Sequence, residues 1–361
     1  VADKKTLLEI QKLVDIYQEA KQGLIRTIAE KEARGNVTWF QKSLLDQVDK
    51  QLSELDVLAK EWVKSVIPEA YNSGLDDLNS KLKKLGIDAQ SKPDNFAVLH
   101  TEAINAMVMD TLDDLQEANR YASNSIRQVV KRAVDNAVIQ KLAQGQTVRE
   151  CKKAIVNELM NKSIDAIEGK NGKVMSLDSY AATVARSRTR EATNTATINQ
   201  LTALERDLVK ISKHNTTCPI CAAYQGRVFS ISGNDKRYPP LSEVFKGPYA
   251  NIHPNCSHVP EPYIEELADD PEGDRRNSAL PFDIDPRSQK EVDLYNGMRK
   301  KKQRLREDRR QWERFSLALP NDIPKTFQGF MSMKRANGER WDNIQKSYQD
   351  YNQNAKNNNK A

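Results

Sequence analysis

Proline is nearly missing from the front of the chain. Only Pro68 and Pro93 occur in the first 218 residues, against ten between Pro219 and Pro286. Proline interrupts helices, so its scarcity leaves the front open to long helices and confines irregular structure to the middle. Aromatic residues are few, 6% of 361, and hydrophobic residues reach only 38%. That composition excludes one large, deeply buried globule and favours thin helical layers around small cores. Length points to roughly two or three units. Long apolar runs are also missing. The longest spans about four residues, Ala106 to Met109 or Cys221 to Tyr224, whereas a membrane span takes about 20. The start at Val1 leads into an amphipathic pattern, so no secretory leader is expected and the chain reads as made in the cytosol. Charge of one sign is scarce as well: 56 Lys+Arg against 50 Asp+Glu leaves +6, which excludes a polycation. Catalytic grammar is absent. There is no Gly-x4-Gly-Lys-Ser/Thr, no His-Glu-x-x-His and no Gly-x-Ser-x-Gly.

The front section is written in helical spacing. Leu7, Ile10, Leu13, Val14, Tyr17, Leu24 and Ile28 form one stripe; Phe40, Leu44, Leu45, Val48, Leu52, Leu55, Leu58, Trp62, Val66 and Ile67 form a second. These predict an antiparallel helical pair, with a break or kink at Pro68. From Pro93 to Gly145 no other Pro or Gly occurs, which predicts one very long helix or two with a bend near 120–125. Ile167 to Val174 reads as a small hairpin or tight loop. An Ala/Thr-rich helix is expected from about Tyr180 to Ile211. Arg227 to Ile231 suits a strand, and Ser288 with Glu291 forms a capping box for a later helix. The last dozen residues are low-complexity and are expected to be disordered unless a partner holds them.

One constellation carries chemistry. Cys218-Pro-Ile-Cys221 is followed, 31 residues later, by His253-Pro-Asn-Cys256-Ser-His258. Two residues between ligands lets a tight turn aim both side chains at one ion. In a cytosolic chain such spacing reads as metal chemistry before disulfides. The expected tetrahedral zinc set is Cys218, Cys221, His253 and Cys256. His258 is an alternative to His253 or an outer partner, and His214 is more remote. The segment around these residues is rich in Pro and Gly and poor in large apolar side chains. So little burial does not offset chain entropy, and a metal staple is the usual remedy.

The expected fold is therefore mainly α. A long-helix N-terminal bundle carries a small zinc-stapled, irregular α+β domain and a basic C-terminal helix. The division runs 1–90 for a helical pair, 91–211 for the long-helix region, 212–265 for the zinc knuckles, and 266–361 for a proline-rich linker, basic helix and polar tail. Residues 299–314 hold nine Lys/Arg and three Asp/Glu. That local +6 equals the whole chain's excess. Arg299, Lys300, Lys301, Lys302, Arg304, Arg306, Arg309 and Arg310 are candidate phosphate contacts, on a helix whose stripe of Met298, Leu305, Trp312 and Phe315 anchors one face. No aromatic residue interleaves the run before Trp312, so base stacking is not expected.

Three stretches resemble the phage minor capsid proteins, specifically the minor capsid protein 2 type, related to the head morphogenesis proteins of tailed phages. They are Leu177-Asp-Ser-Tyr180 running into Val184-Ala-Arg-Ser-Arg-Thr-Arg-Glu-Ala-Thr193; Cys218-Pro-Ile-Cys-Ala-Ala-Tyr-Gln-Gly226 with Val228-Phe229; and Gly247-Pro-Tyr249, His253-Pro-Asn-Cys-Ser-His258 and Pro262-Tyr263. The resemblance implies a virion component near the portal vertex. Its implied partners are the portal protein, the major capsid or scaffold protein, and packaged DNA. It implies an oligomer or assembly-bound chain, no membrane, and no enzyme activity. A contrasting expectation is a zinc-stapled nuclease or toxin using His253 or His258 on phosphodiesters. Such an enzyme needs a free histidine as base, and here the histidines are the residues wanted as ligands.

Overall fold

The computed structural model describes residues 4–33, 37–87, 93–144, 149, 152–157, 165–168, 174–214, 217–245 and 250–358. The protein is mainly helical with a small sheet. In chain order the elements are α1 (Lys4–Glu30), α2 (Val37–Lys84), α3 (Pro93–Gln144), β1 (Asp165–Glu168), β2 (Val174–Ser176), α4 (Leu177–Ala203), β3 (Leu208–Ile211), α5 (Pro219–Ala222), β4 (Val228–Ser230), β5 (Pro260–Pro262), α6 (Pro271–Ser278), α7 (Gln289–Ala318), α8 (Phe327–Ala336) and α9 (Glu339–Asn358). Two compact units form. One comprises Val1–Val14, Ala59–Leu115 and Ala181–Arg299; the other comprises Asp15–Leu58, Gln116–Tyr180 and Lys300–Ala361.

Four expectations meet a different outcome or a choice. First, α2 runs through Pro68 without a break. An interior proline costs about 3 kcal/mol. Val63, Val66, Ile67, Ala70 and Tyr71 beside it are all buried, and each large one stabilises the helix by about 1.5–3 kcal/mol, so packing wins. Second, α3 is one helix of 52 residues with no interruption at 120–125. Third, α4 stops at Ala203 and not at Ile211. Glu205 takes φ 54°, Glu205 N–H donates to Thr202 O, and Arg206 N–H donates to Leu201 O at 2.9 Å. This is a Schellman ending with Glu at the left-handed position where glycine is usual, so the sequence carries no stop signal. Fourth, α9 continues through the polar tail to Asn358. At the expected Ile167 to Val174 hairpin, Asp165–Glu168 and Val174–Ser176 pair antiparallel, and residues 169–173 between them lie outside the described residues; a strand over Val228–Ser230 and the Ser288 cap form. Ser288 N–H donates to Glu291 Oε2 at 2.8 Å.

The first unit is organised by a three-stranded antiparallel sheet in the order β4-β3-β5. Val209 and Ile211 of β3 point into a core with Leu78, Leu82, Leu201, Phe229, Leu241 and Val244. β5 is Pro-Glu-Pro, and proline is tolerated there because the strand lies on the edge. The flanking residues supply the ladder: Ser212 N–H donates to Val259 O at 2.9 Å and Tyr263 N–H to Leu208 O at 3.1 Å. The register Ile211↔Pro260 sets the exit of β3 beside the entrance of β5. The first cysteine-bearing loop begins there and the second ends there.

Close packing of α2 on α4 in the same unit depends on Gly74. A Cβ at this position would lie 2.8 Å from Thr193 O and 3.0 Å from Thr193 Cα, both rigid backbone atoms. Gly74→Leu should therefore destabilise the unit by about 1–3 kcal/mol or more through overpacking. The check is the urea midpoint followed by circular dichroism; an unchanged midpoint would contradict it.

In the second unit Phe40, Leu44, Val48, Leu52 and Leu55 of α2 are buried at steps of four, four, four and three. Ala118, Ala122, Ile126, Val129 and Val130 of α3 are buried likewise. Lys21 lies buried between two acids, donating to Asp178 Oδ1 at 3.0 Å and Glu313 Oε1 at 2.7 Å. An aromatic cluster of Trp312, Phe315, Phe330 and Trp341, with Ile323 and Ile344, closes α7, α8 and α9 together.

Candidate metal centre

Each cysteine turn is built locally. After β3, Cys218 caps the single turn of α5. It has φ −73° and ψ 162°, Pro219 follows at the first helical position, and its Sγ accepts from Cys221 N–H at 3.4 Å. Proline suits that place because its missing N–H would be an orphan anyway. The second turn closes through Cys256 N–H donating to His253 O at 3.1 Å. Asn255 supplies the left-handed φ of 64°, a conformation asparagine tolerates better than most residues. His258 N–H then donates to Cys256 Sγ at 3.4 Å.

The structure brings all five expected ligands together in two overlapping groups: Cys218, Cys221 and His253; and Cys221, Cys256 and His258. His253 Nε2 lies 3.1 Å from Cys218 Sγ and 3.0 Å from Cys221 Sγ. Cys221 Sγ lies 3.6 Å from Cys256 Sγ, and Cys256 Sγ lies 3.6 Å from His258 Nδ1. Tetrahedral zinc with sulfur at about 2.3 Å and nitrogen at about 2.0–2.1 Å separates its ligands by roughly 3.5–3.8 Å. The donor set is compatible with that demand. His253 Nδ1–H donates to Pro254 O at 2.7 Å, which turns the Nε2 lone pair to the sulfur atoms. His258 is grouped with the sulfur atoms of Cys221 and Cys256. Its Nε2 is 3.4 Å from Thr217 Oγ1 and its ring meets His214 at 4.5 Å. His214 sits behind His258 and outside both ligand groups.

Electrostatics favour a cation here. Hydrogen bonds from Cys221 and His253 hold the Cys218 thiol down at about 3. Cys221 and His258 lower Cys256 in the same way. Proton sharing with Cys218 and Cys256, with burial, pushes Cys221 up. The hydrogen bond to Cys218 raises His253 to about 9. A divalent ion would displace the protons on Cys221 and His253 and satisfy all four groups. Cys221 and Cys256 are 1% and 6% exposed.

Several supporting residues carried no recognisable signal. Arg287 donates to Thr217 O at 3.0 Å and holds the first turn. The second turn lies on α4. Asn255 N–H donates to Ser187 Oγ at 3.1 Å, Asn251 Nδ2 to Ser187 O at 2.9 Å, and Asn194 Nδ2 to Ala250 O at 2.6 Å. A polar stripe on an Ala/Thr helix was the available hint.

The basic residues Arg299, Lys300, Lys301, Lys302, Arg304, Arg306 and Arg310 are all exposed on α7. Arg309 instead packs over the Phe327 ring at 4.5 Å. The expected anchoring stripe holds only at its end. Trp312 and Phe315 are buried in the aromatic cluster, whereas Met298 and Leu305 are 40% and 51% exposed. Among the described residues no helix is long and apolar enough to cross a membrane.

Comparison with curated proteins and with solved structures returned no match. The profile of a family described as phage minor capsid protein 2 matches residues 1–324, which takes in both cysteine turns, α4 and the basic face of α7. With most of its 361 residues covered, the chain belongs to the phage minor capsid protein 2 family.

Proposed function

We propose that this chain is a non-catalytic structural part of the phage head, seated at the portal vertex. One zinc ion staples its two cysteine turns, and the basic face of α7 lies against packaged DNA. A structural capsid role and assembly with other virion components follow from the family. The observation that carries the zinc reading is the meeting of the two cysteine turns at Cys221, which is grouped with Cys218 and His253 on one side and with Cys256 and His258 on the other. Four protein ligands close a zinc site and leave no position for a reacting water. Both His253 and His258 face sulfur, so neither is placed as the free base that phosphodiester cleavage requires. A density map of the virion around the portal vertex tests the placement; a map that fits this chain elsewhere, or nowhere, refutes it.

The DNA contact has its own test. Seven exposed basic residues on one helical segment neutralise phosphates without reading sequence. Filter binding to random duplex DNA should weaken steeply between two salt concentrations. Changing Lys300, Lys301, Lys302 and Arg304 together to Gln should flatten the salt slope by about 3–4, at roughly 0.9 per lost phosphate contact. Equal binding by both proteins would make the segment a protein-contact face.

A further inference from the structure

We infer that Arg190 is the buried counter-charge of the metal centre, and that its single positive charge matches a ligand set of three thiolates and one imidazole. The inference rests on the zinc reading above and extends it to a residue outside the coordination sphere. Thr183, Ser187, Arg190 and Asn194 follow one another at steps of four, three and four along α4, so they share one helix face. Three of them grip the second cysteine turn. Thr183 Oγ1 accepts from Asn255 Nδ2 at 3.4 Å, Ser187 accepts from Asn255 and Asn251, and Asn194 donates to Ala250 O. Arg190 stands between Ser187 and Asn194 on that face, beneath the turn that carries Cys256. It is 8% exposed. Burial is the larger effect and lowers the Arg190 guanidinium below its ordinary value, and the Cys256 sulfur acts in the opposite sense. Arg188, two residues earlier on a different face, is served by carboxylates instead: Asp114 at 2.8 Å and Glu191 at 2.9 Å.

Charge arithmetic gives the position its meaning. A divalent ion with Cys218, Cys221 and Cys256 as thiolates and a neutral His253 leaves one net negative charge. Burying such a charge unpaired is costly. A guanidinium next to it brings the sum to zero. A two-thiolate, two-imidazole set using both His253 and His258 would already be neutral and would leave Arg190 as an uncompensated buried cation. The arginine therefore favours a set of three thiolates, Cys256 among them, with one imidazole, and the charge count is the same whether His253 or His258 supplies it.

The test is zinc affinity of the full chain, measured by competition with a chromophoric chelator, with circular dichroism as a folding control. Arg190→Gln should lose about 10–100-fold in affinity, the range seen when outer-shell partners are removed. Arg190→Lys, which keeps the charge, should recover most of it. In a Cys256→His background, where the loaded site is neutral, Arg190→Gln should cause no further loss. A residue that acts by packing alone would give the same loss in both backgrounds and no recovery with Lys, and that result would overturn the inference. So would full affinity in Arg190→Gln. Should Arg190→Gln alone fail to fold, a folded, zinc-loaded Arg190→Gln/Cys256→His protein supports the inference and an unfolded one refutes it. Absence of zinc from the wild-type chain would remove the metal centre itself, an outcome distinct from zinc that binds without regard to residue 190.

Discussion

Replacing Cys221 with Ser should release the metal and unfold the segment from Thr217 to His258, while α1, α2 and α3 keep their helical signal. Cys221 belongs to both ligand groups and is 1% exposed, so no other residue can take over its place. Structural zinc contributes an apparent 10–16 kcal/mol in small zinc-dependent peptides. Phe229, Leu241 and Val244 of this segment are buried in the core of the first unit, whereas Ile220 in the first cysteine turn is 59% exposed, so the turns depend on the metal more than on burial. Hydrogen exchange across 217–258, read beside the zinc content, is the measurement. His258→Ala should behave differently and keep its zinc, because His253 Nε2 stands within 3.1 Å of two sulfur atoms whereas His258 Nδ1 lies 3.6 Å from Cys256 Sγ. Zinc lost from His258→Ala and retained by Cys221→Ser would reverse the ligand assignment. Metal-free wild-type chain with full protection over 217–258 would dismiss the staple altogether.

Lys21→Met should destabilise the second unit by about 3–5 kcal/mol, the usual cost of removing one partner from a buried ion pair. Lys21, Asp178 and Glu313 have side chains 3%, 6% and 7% exposed, so the orphaned carboxylates have no access to water. Replacing all three by apolar residues of similar size should be close to neutral, since the desolvation cost disappears with the charges. The pH dependence follows from the same triad. Burial would raise Asp178, but Lys21 and the Ser176 hydroxyl outweigh it and hold the acid below its usual 3.8. Its contribution is complete above that value and is lost as pH falls through the depressed folded value. Burial would lower Lys21, but Glu313 and Asp178 outweigh it and raise the ammonium above its usual 10.5. That contribution is complete below 10.5 and is lost as pH rises through the raised value. Exchange rates of the amides in α7 from Trp312 to Ala318 should therefore accelerate in Lys21→Met and level off with pH. Unchanged rates would make the triad energetically idle.

Much of this fold is legible in the chain because helical spacing is local information. The stripes at Leu44, Val48, Leu52 and Leu55, and the run from Pro93 to Gln144 without an interior Pro or Gly, announce helices before any packing is known. The departures have tertiary causes. Pro68 stays helical because its neighbours are buried, and α4 ends on Glu205 because β3 must pair with β4 and β5. Nothing in the residue types marks either outcome. The polar end of α9 belongs to the same class. Trp341 and Ile344 dock on Phe315 and Phe330, and a helix that docks at its start can propagate through Asn- and Gln-rich sequence.

For the metal centre the division is clear. Spacing in Cys218-x-x-Cys221 and His253-x-x-Cys256 by itself determined that two tight turns would present ligands, because two intervening residues suffice to aim both side chains. Composition raised the expectation that the surrounding segment needs such a staple. Only the tertiary structure decided that the two turns meet, since the Ile211↔Pro260 register closes a gap that chain connectivity leaves open. It alone set His253 Nε2 within 3.1 Å of the Cys218 and Cys221 sulfur atoms and His258 Nδ1 at 3.6 Å from Cys256 Sγ. And it alone brought Arg287 to the first turn from a loop far away in sequence. Long-range juxtaposition of this kind depends on how helices and strands pack, and packing is a property of the folded chain as a whole.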